Sequence, residues 1–177
     1  NISEAQIVAY EQLLEKARAS NNGQATDELT AIGTPPWSDQ QANITYATWV
    51  NNFGGVMQGV TGEELDKTVA SSPYYTAKDR EKWQQGQGFS AQAMIAELMQ
   101  VNLMDEVKTL NVPVYIFSGK HDLNSPISLA QHWLDGLESP HKELVVFENS
   151  AHFLMWEENE KFNQEMVRVL EETFPKR

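Results

Sequence analysis

Two residues stand out as able to do chemistry together. Asp122 follows the apolar run Val112-Pro113-Val114-Tyr115-Ile116-Phe117 through Ser118-Gly119-Lys120-His121. His152 follows a second apolar run, Leu144-Val145-Val146-Phe147, through Glu148-Asn149-Ser150-Ala151. A carboxylate beside an imidazole fixes its tautomer and stabilises the imidazolium that forms when the ring takes a proton. An aspartate and a histidine so placed can therefore serve as the acid and base of nucleophilic catalysis, with histidine the usual general base. A metal site built from His121, Asp122 and His152 is the competing chemistry, but no ligand spacing such as His-Glu-x-x-His accompanies it. The plain alternative is a turn aspartate and a loop histidine. His121 then reads as a neighbour at the mouth of the site, and His132 and His141 as helix-face and loop residues.

The pair needs elements to position it. Both apolar runs are short, continuous and rich in β-branched or aromatic residues, the pattern of strands buried on both faces. Ile127, Leu129, Ala130, Trp133, Leu134 and Leu137 recur at helical spacing between them. A closing helix is expected over 157–174, with Phe162, Met166, Val169 and Leu170 on one face. The unit is β-α-β-α, so the strands are expected to be adjacent and parallel. Functional groups in such sheets lie just past the carboxyl ends of strands, where Asp122 and His152 both fall. Two parallel strands do not make a stable sheet, because edges and apolar faces stay uncovered. Further strands beside 112–117 are expected from outside this sequence, either from a missing N-terminal half or by self-association.

Residues 1–110 read instead as successive helices. Ser3 with Gln6 signals one start, Thr26 a second and Ser38 a third. Thr61-Gly62-Glu63-Glu64 is a capping-box pattern. A polar helix around 78–85 follows Pro73, and Ser90 reads as the cap of a helix over 91–100.

Composition narrows the functions. The formal charge is −12, with 13 Lys+Arg against 25 Asp+Glu, and no basic stripe is present. Nucleic acid is therefore not an expected partner. There is no cysteine, which excludes a disulfide scaffold, a thiolate metal site and a cysteine nucleophile. Hydrophobic residues make up 41%, enough for a folded core. No apolar run reaches membrane-spanning length, and the first residues lack the basic and apolar regions of a signal peptide. The expectation is a cytoplasmic chain. The absence of an initiator Met reads as a sign of a fragment or trimmed product.

The segment Val112–Pro126, in which a buried strand reaches Gly119-Lys120-His121-Asp122 with a proline soon after, resembles the acid segment of α/β-hydrolases. Asn149-Ser150-Ala151-His152, with the trailing acidic turn Glu157-Glu158 and a closing helix, resembles their histidine segment, and the order of acid before histidine fits. Asn1–Gln6, Glu28–Pro36, Phe53-Gly54-Gly55 and Phe89-Ser90 resemble the cap of proline iminopeptidase-like members. The resemblance implies an α/β fold: a helical cap (1–110) followed by the last β-α-β-α part of an α/β-hydrolase parallel sheet (111–177). It implies that Asp122 and His152 are triad acid and base, with a small molecule or short peptide as substrate and no cofactor or metal. It also implies an aminopeptidase-like serine hydrolase that cleaves a small amide or ester.

The Gly-x-Ser-x-Gly nucleophile elbow and the oxyanion segment of that family are absent, so the chain alone is expected to be inactive. Gly88-Phe89-Ser90-Ala91-Gln92 is a near match, but the polar residues before it do not supply the buried strand an elbow needs. Glu63 and Glu64 could bind a substrate ammonium group, or be first-turn acids favoured by the helix dipole. Trp37, Trp49, Trp83 and Met57 could line an acyl pocket, or be core. Two alternatives stay open: an α/β-hydrolase with an aspartate nucleophile, as in dehalogenases and epoxide hydrolases, and a non-catalytic association module.

Overall fold

The computed structural model describes residues 2–174. Six helices come first: α1 (Ile2–Ala19), α2 (Gly23–Ile32), α3 (Gln40–Asn52), α4 (Gly62–Ala70), α5 (Ala77–Leu98) and α6 (Leu103–Glu106). The order then changes to β1 (Val114–Gly119), α7 (Ile127–Gly136), β2 (Lys142–Phe147), α8 (Leu154–Glu157) and α9 (Asn159–Thr173). The chain is thus mixed α/β, with a helical part and one two-stranded parallel sheet among the described residues. The register runs from Val114 opposite Lys142 to Gly119 opposite Phe147, as a β-α-β unit requires. Helix α7 makes that crossover and packs against both strands.

Several boundaries differ from the expectations. Helix α2 is capped by Asn22, whose side chain accepts from the Ala25 amide at 3.0 Å, rather than opened by Thr26. Thr26 lies in the first turn and its hydroxyl donates back to the Asn22 carbonyl. Helix α3 is capped by Asp39, which accepts from the amides of Gln41 and Ala42, rather than by Ser38. In both cases side-chain oxygens, the amide oxygen of Asn22 and the carboxylate of Asp39, accept from orphan amides of the first turn. Ser3 lies inside α1, which is already helical at Ile2, and Asn1 is outside the described residues. Ser90 is not a cap. It sits within the 22-residue helix α5, whose start is the Thr76–Asp79 capping box. That helix runs through Gly86 and Gly88, each costing about 1 kcal/mol relative to Ala. The Thr61–Glu64 capping box forms as expected at the start of α4. The closing helix is broken at Glu158, whose φ of −124° and ψ of 54° separate α8 from α9.

Two apolar clusters hold these elements. Ala9, Tyr10, Leu13 and Ala17 of α1 pack with Ala25 and Leu29 of α2 and with Trp49 and Val50 of α3. Leu123, from the loop after β1, belongs to the same cluster. The residue following Asp122 is therefore anchored in the helical part. The second cluster joins Val145 and Phe147 of β2 to Leu154, with Phe117 and Phe162 against it. Helix α5 contributes to neither cluster, and its Trp83, Phe89, Met94, Ile95 and Leu98 are exposed. Among the described residues, no helix is long and apolar enough to cross a membrane.

Candidate active site

The site is built where the two strands end. Asp122 is 6% exposed and both of its oxygens are committed. Oδ1 accepts from the amides of Asn124 at 2.7 Å and Ser125 at 2.9 Å. Oδ2 lies 2.9 Å from Nδ1 of His152. The Asx-turn on Oδ1 fixes the carboxylate plane, which leaves Oδ2 aimed at the imidazole. With Nδ1 held by a carboxylate, the neutral ring carries its proton on Nδ1 and presents Nε2 as the basic nitrogen. The His152 side chain is 40% exposed, so the ring is not sealed from solvent. The hydrogen bond to Asp122 raises the His152 pKa above the ordinary value of 6.5, burial opposes this, and the charge of Asp122 adds to it.

The end of β1 and the histidine loop meet in very close contact. A Cβ on Gly119 would overlap the Ala151 carbonyl, so only glycine lets the loop lie there. The His121 amide donates to the Ser150 carbonyl at 3.0 Å and the Lys120 amide to Phe147 at 2.9 Å, which zips the two loops together. Two carboxylates after the histidine hold the loop from behind. Glu158 accepts from the Asn149 amide at 3.0 Å and from the buried Ser150 hydroxyl at 2.7 Å. Glu157 accepts from the Ala151 amide at 3.0 Å and from the Gln58 amide at 2.5 Å.

The helical part reaches the site through the loop after α3. The Leu123 amide donates to the Gly55 carbonyl at 3.0 Å, and the His152 amide donates to the Val56 carbonyl at 2.9 Å. Tyr46 of α3 lies beside the aspartate loop, 3.5 Å from the Leu123 carbonyl. Burial, and secondarily the charge of Asp122, push its phenol up to about 12. An apolar groove of about 570 Å³ borders the same loop, with Tyr46, Leu98, Leu103, Leu123, Leu129 and Trp133 among its walls.

None of the suggested substrate residues Trp37, Trp49, Met57, Glu63 and Glu64 lines that groove. Trp37 packs edge-on against Tyr10 and lies 5.1 Å from Tyr46, with Nε1 donating to the Ile32 and Gly33 carbonyls. Trp49 is in the helical core and its Nε1 donates to Glu28 at 2.8 Å. Glu64 closes the α4 capping box and Glu63 pairs with Lys67 at 2.6 Å, both exposed. Met57 is half-buried between Val56 and Gln58. Trp83 is exposed on α5. Tyr46 and Val56 carried no signal in the sequence, and Gly55 figured there only within the cap-like Phe53-Gly54-Gly55. Glu157 and Glu158 carried one, as the acidic pair trailing the histidine.

A second cluster lies at the opposite ends of the strands. Ligand atoms of His141, Glu143 and Glu172 come within 4.8 Å of one another. Arg168 already occupies this cluster, bonded to Glu143 at 2.8 Å and Glu172 at 2.9 Å, while the Tyr115 hydroxyl donates to Glu172. It reads as an ion-pair network centred on Arg168, which Glu165 joins at 2.7 Å.

Comparison with known proteins finds relatives among hydrolases. Over 180 residues, covering 95% of this chain and 54% of the relative, the sequence is 26% identical to the probable aminopeptidase YbaC of Bacillus subtilis. Over 76 residues, covering 41% of the chain, it is 38% identical to the AB hydrolase superfamily protein YclE of the same organism. The chain is a relative of the α/β-hydrolases. It spans about half the length of the first of these proteins and 26% of the second. No family model matches the chain, and no solved structure does.

Proposed function

We propose that this chain supplies the acid Asp122 and the general base His152 of a serine-type hydrolase acting on a small amide or ester. The observation that carries the reading is the 2.9 Å contact between His152 Nδ1 and a buried Asp122 whose other oxygen is fixed by two amides. In this scheme His152 Nε2 removes the proton of a nucleophilic hydroxyl as it attacks the carbonyl carbon. It then returns the proton to the leaving amine or alcohol, while Asp122 holds the ring and balances its charge. The name of the longer relative, a probable aminopeptidase, favours an amide next to a free amino terminus as substrate.

The nucleophile and oxyanion donors belong, in this reading, to sequence beyond these 177 residues, with residues 1–110 forming a cap over the site. The outer edge of β1 supports this. Even-numbered residues of β1 face β2, as the Val114 amide bonded to His141 indicates, so Tyr115, Phe117 and Gly119 turn their backbone groups to the other side. No strand flanks that side among the described residues. The exposed apolar side chains of α5 add a surface that a larger fold would cover. The same features favour a second reading, in which the chain is an association module without catalysis. A serine-reactive fluorophosphonate separates the two. It should label the product of the whole reading frame, and not the 177-residue chain. Labelling of this chain at Ser90, or of neither protein, overturns the proposal.

A further inference from the structure

We infer that Glu157 is a positioning residue: its carboxylate ties the Gly54–Gln58 loop to the histidine loop and so holds the imidazole of His152 at hydrogen-bond distance from Asp122. This rests on the reading of Asp122 and His152 as acid and base.

The loop after α3 is the common support of both. It grows directly from the helix end, where the Gly54 amide donates to Asn51 at 2.9 Å and the Gly55 amide to Val50 at 2.8 Å. The next two carbonyls are then given to the site. Gly55 accepts from Leu123, next to the acid, and Val56 accepts from His152 itself. Leu123 also packs its side chain onto Gly55, so closely that a Cβ there would meet its carbons at 2.6–2.8 Å. A displacement of this loop therefore moves the aspartate and the histidine by different backbone bonds, and their separation changes.

Glu157 closes the arrangement. Oε1 accepts from the Gln58 amide and Oε2 from the Ala151 amide, so one side chain bridges segments 99 and 6 residues away from it. A carboxylate suits this task because it has two acceptor oxygens and no hydrogen, and hydrogen bonds to an ionised acceptor are the stronger kind. Glutamine has the same size but only one oxygen. Its NH₂ would face one of the two amides, donor against donor. Glu157→Gln thus breaks the bridge while leaving the apolar packing of α8 intact.

The test follows the His152 ring by NMR titration of the full 177-residue chain, in the wild type, Asp122→Asn, Glu157→Gln and the core variant Leu134→Ala. The expected result is a wild-type midpoint above that of Asp122→Asn, with Glu157→Gln moved at least half of the way down to it. Leu134→Ala lowers thermal stability and leaves the midpoint in place, which separates positioning from general loosening. If Glu157→Gln does not fold, Gly55→Ala reads the same junction from the other side and should shift the midpoint equally. A wild-type midpoint no higher than that of Asp122→Asn overturns the acid–base reading itself. A drop in Asp122→Asn with no shift in Glu157→Gln or Gly55→Ala overturns the positioning role alone.

Discussion

Replacing Gly119 by alanine should disable the site without touching either of its side chains. A Cβ at this position would overlap the Ala151 carbonyl oxygen and lie 2.7 Å from both the Ala151 carbonyl carbon and the Ser150 oxygen. These are backbone atoms, so no rotamer change relieves the clash. Reaching an ordinary contact distance requires the histidine loop to retreat by roughly an ångström or more. Overpacking of this kind costs about 1–3 kcal/mol, and a backbone neighbour places it near the upper end. About 3 kcal/mol corresponds to a loss of roughly 6–12 °C in Tm for a chain of this size. The retreat also carries His152 away from Asp122, and their 2.9 Å hydrogen bond weakens with it. Thermal unfolding combined with NMR titration of His152 measures both effects. Gly136→Ala is the control, because a Cβ at the end of α7 meets nothing within 4 Å. Wild-type Tm and wild-type His152 titration in Gly119→Ala would refute the close contact and the argument built on it.

Further outcomes follow from the same contacts. The folded His152 pKa is raised above its ordinary 6.5, chiefly by the hydrogen bond to Asp122, so the pair stabilises the fold fully below the ordinary value. That stability is lost as pH rises through the folded pKa, and urea unfolding on either side of it should show this loss in the wild type and not in Asp122→Asn. The Tyr46 phenol, held up to about 12, should ionise last among the tyrosines or only with unfolding. In a phenolate absorbance titration Tyr46→Phe removes that step. Arg168→Met leaves Glu143, Glu165 and Glu172 without their shared cation. It should lower Tm at low salt and less so at high salt, since the partners are partly exposed and screening weakens them.

What the sequence revealed was set by how local each signal is. The two strands were legible because a short continuous run of β-branched and aromatic residues is a local pattern, although only Ser118 and Gly119 of β1 and Val145 and Phe147 of β2 are buried. Their limits shifted toward 114–119 and 142–147 because pairing carries β1 through the buried Ser118 to Gly119 opposite Phe147. The juxtaposition of Asp122 and His152 followed from the β-α-β order alone. Helix starts were less legible, since Asn22 and Asp39 compete with Thr26 and Ser38 a few residues away and only geometry chooses between them. Trp37 and Trp49 fit pocket and core equally well as sequence; in the fold Trp49 belongs to the helical core and Trp37 packs against it. The supports of the site were illegible because they join distant segments: Tyr46 meets Leu123 across 77 residues and Glu157 meets Gln58 across 99.

The central claim is that Asp122 and His152 act as one acid–base pair in hydrolysis. It is tested most directly by kcat/KM for an aminoacyl arylamide, measured on the product of the whole reading frame and on its Asp122→Asn and His152→Ala variants. Losing either group should cost on the order of 10⁴-fold, and the double variant should be no worse than His152→Ala, because the two act as a unit. Hydrolysis that persists near the wild-type rate in His152→Ala would contradict the account.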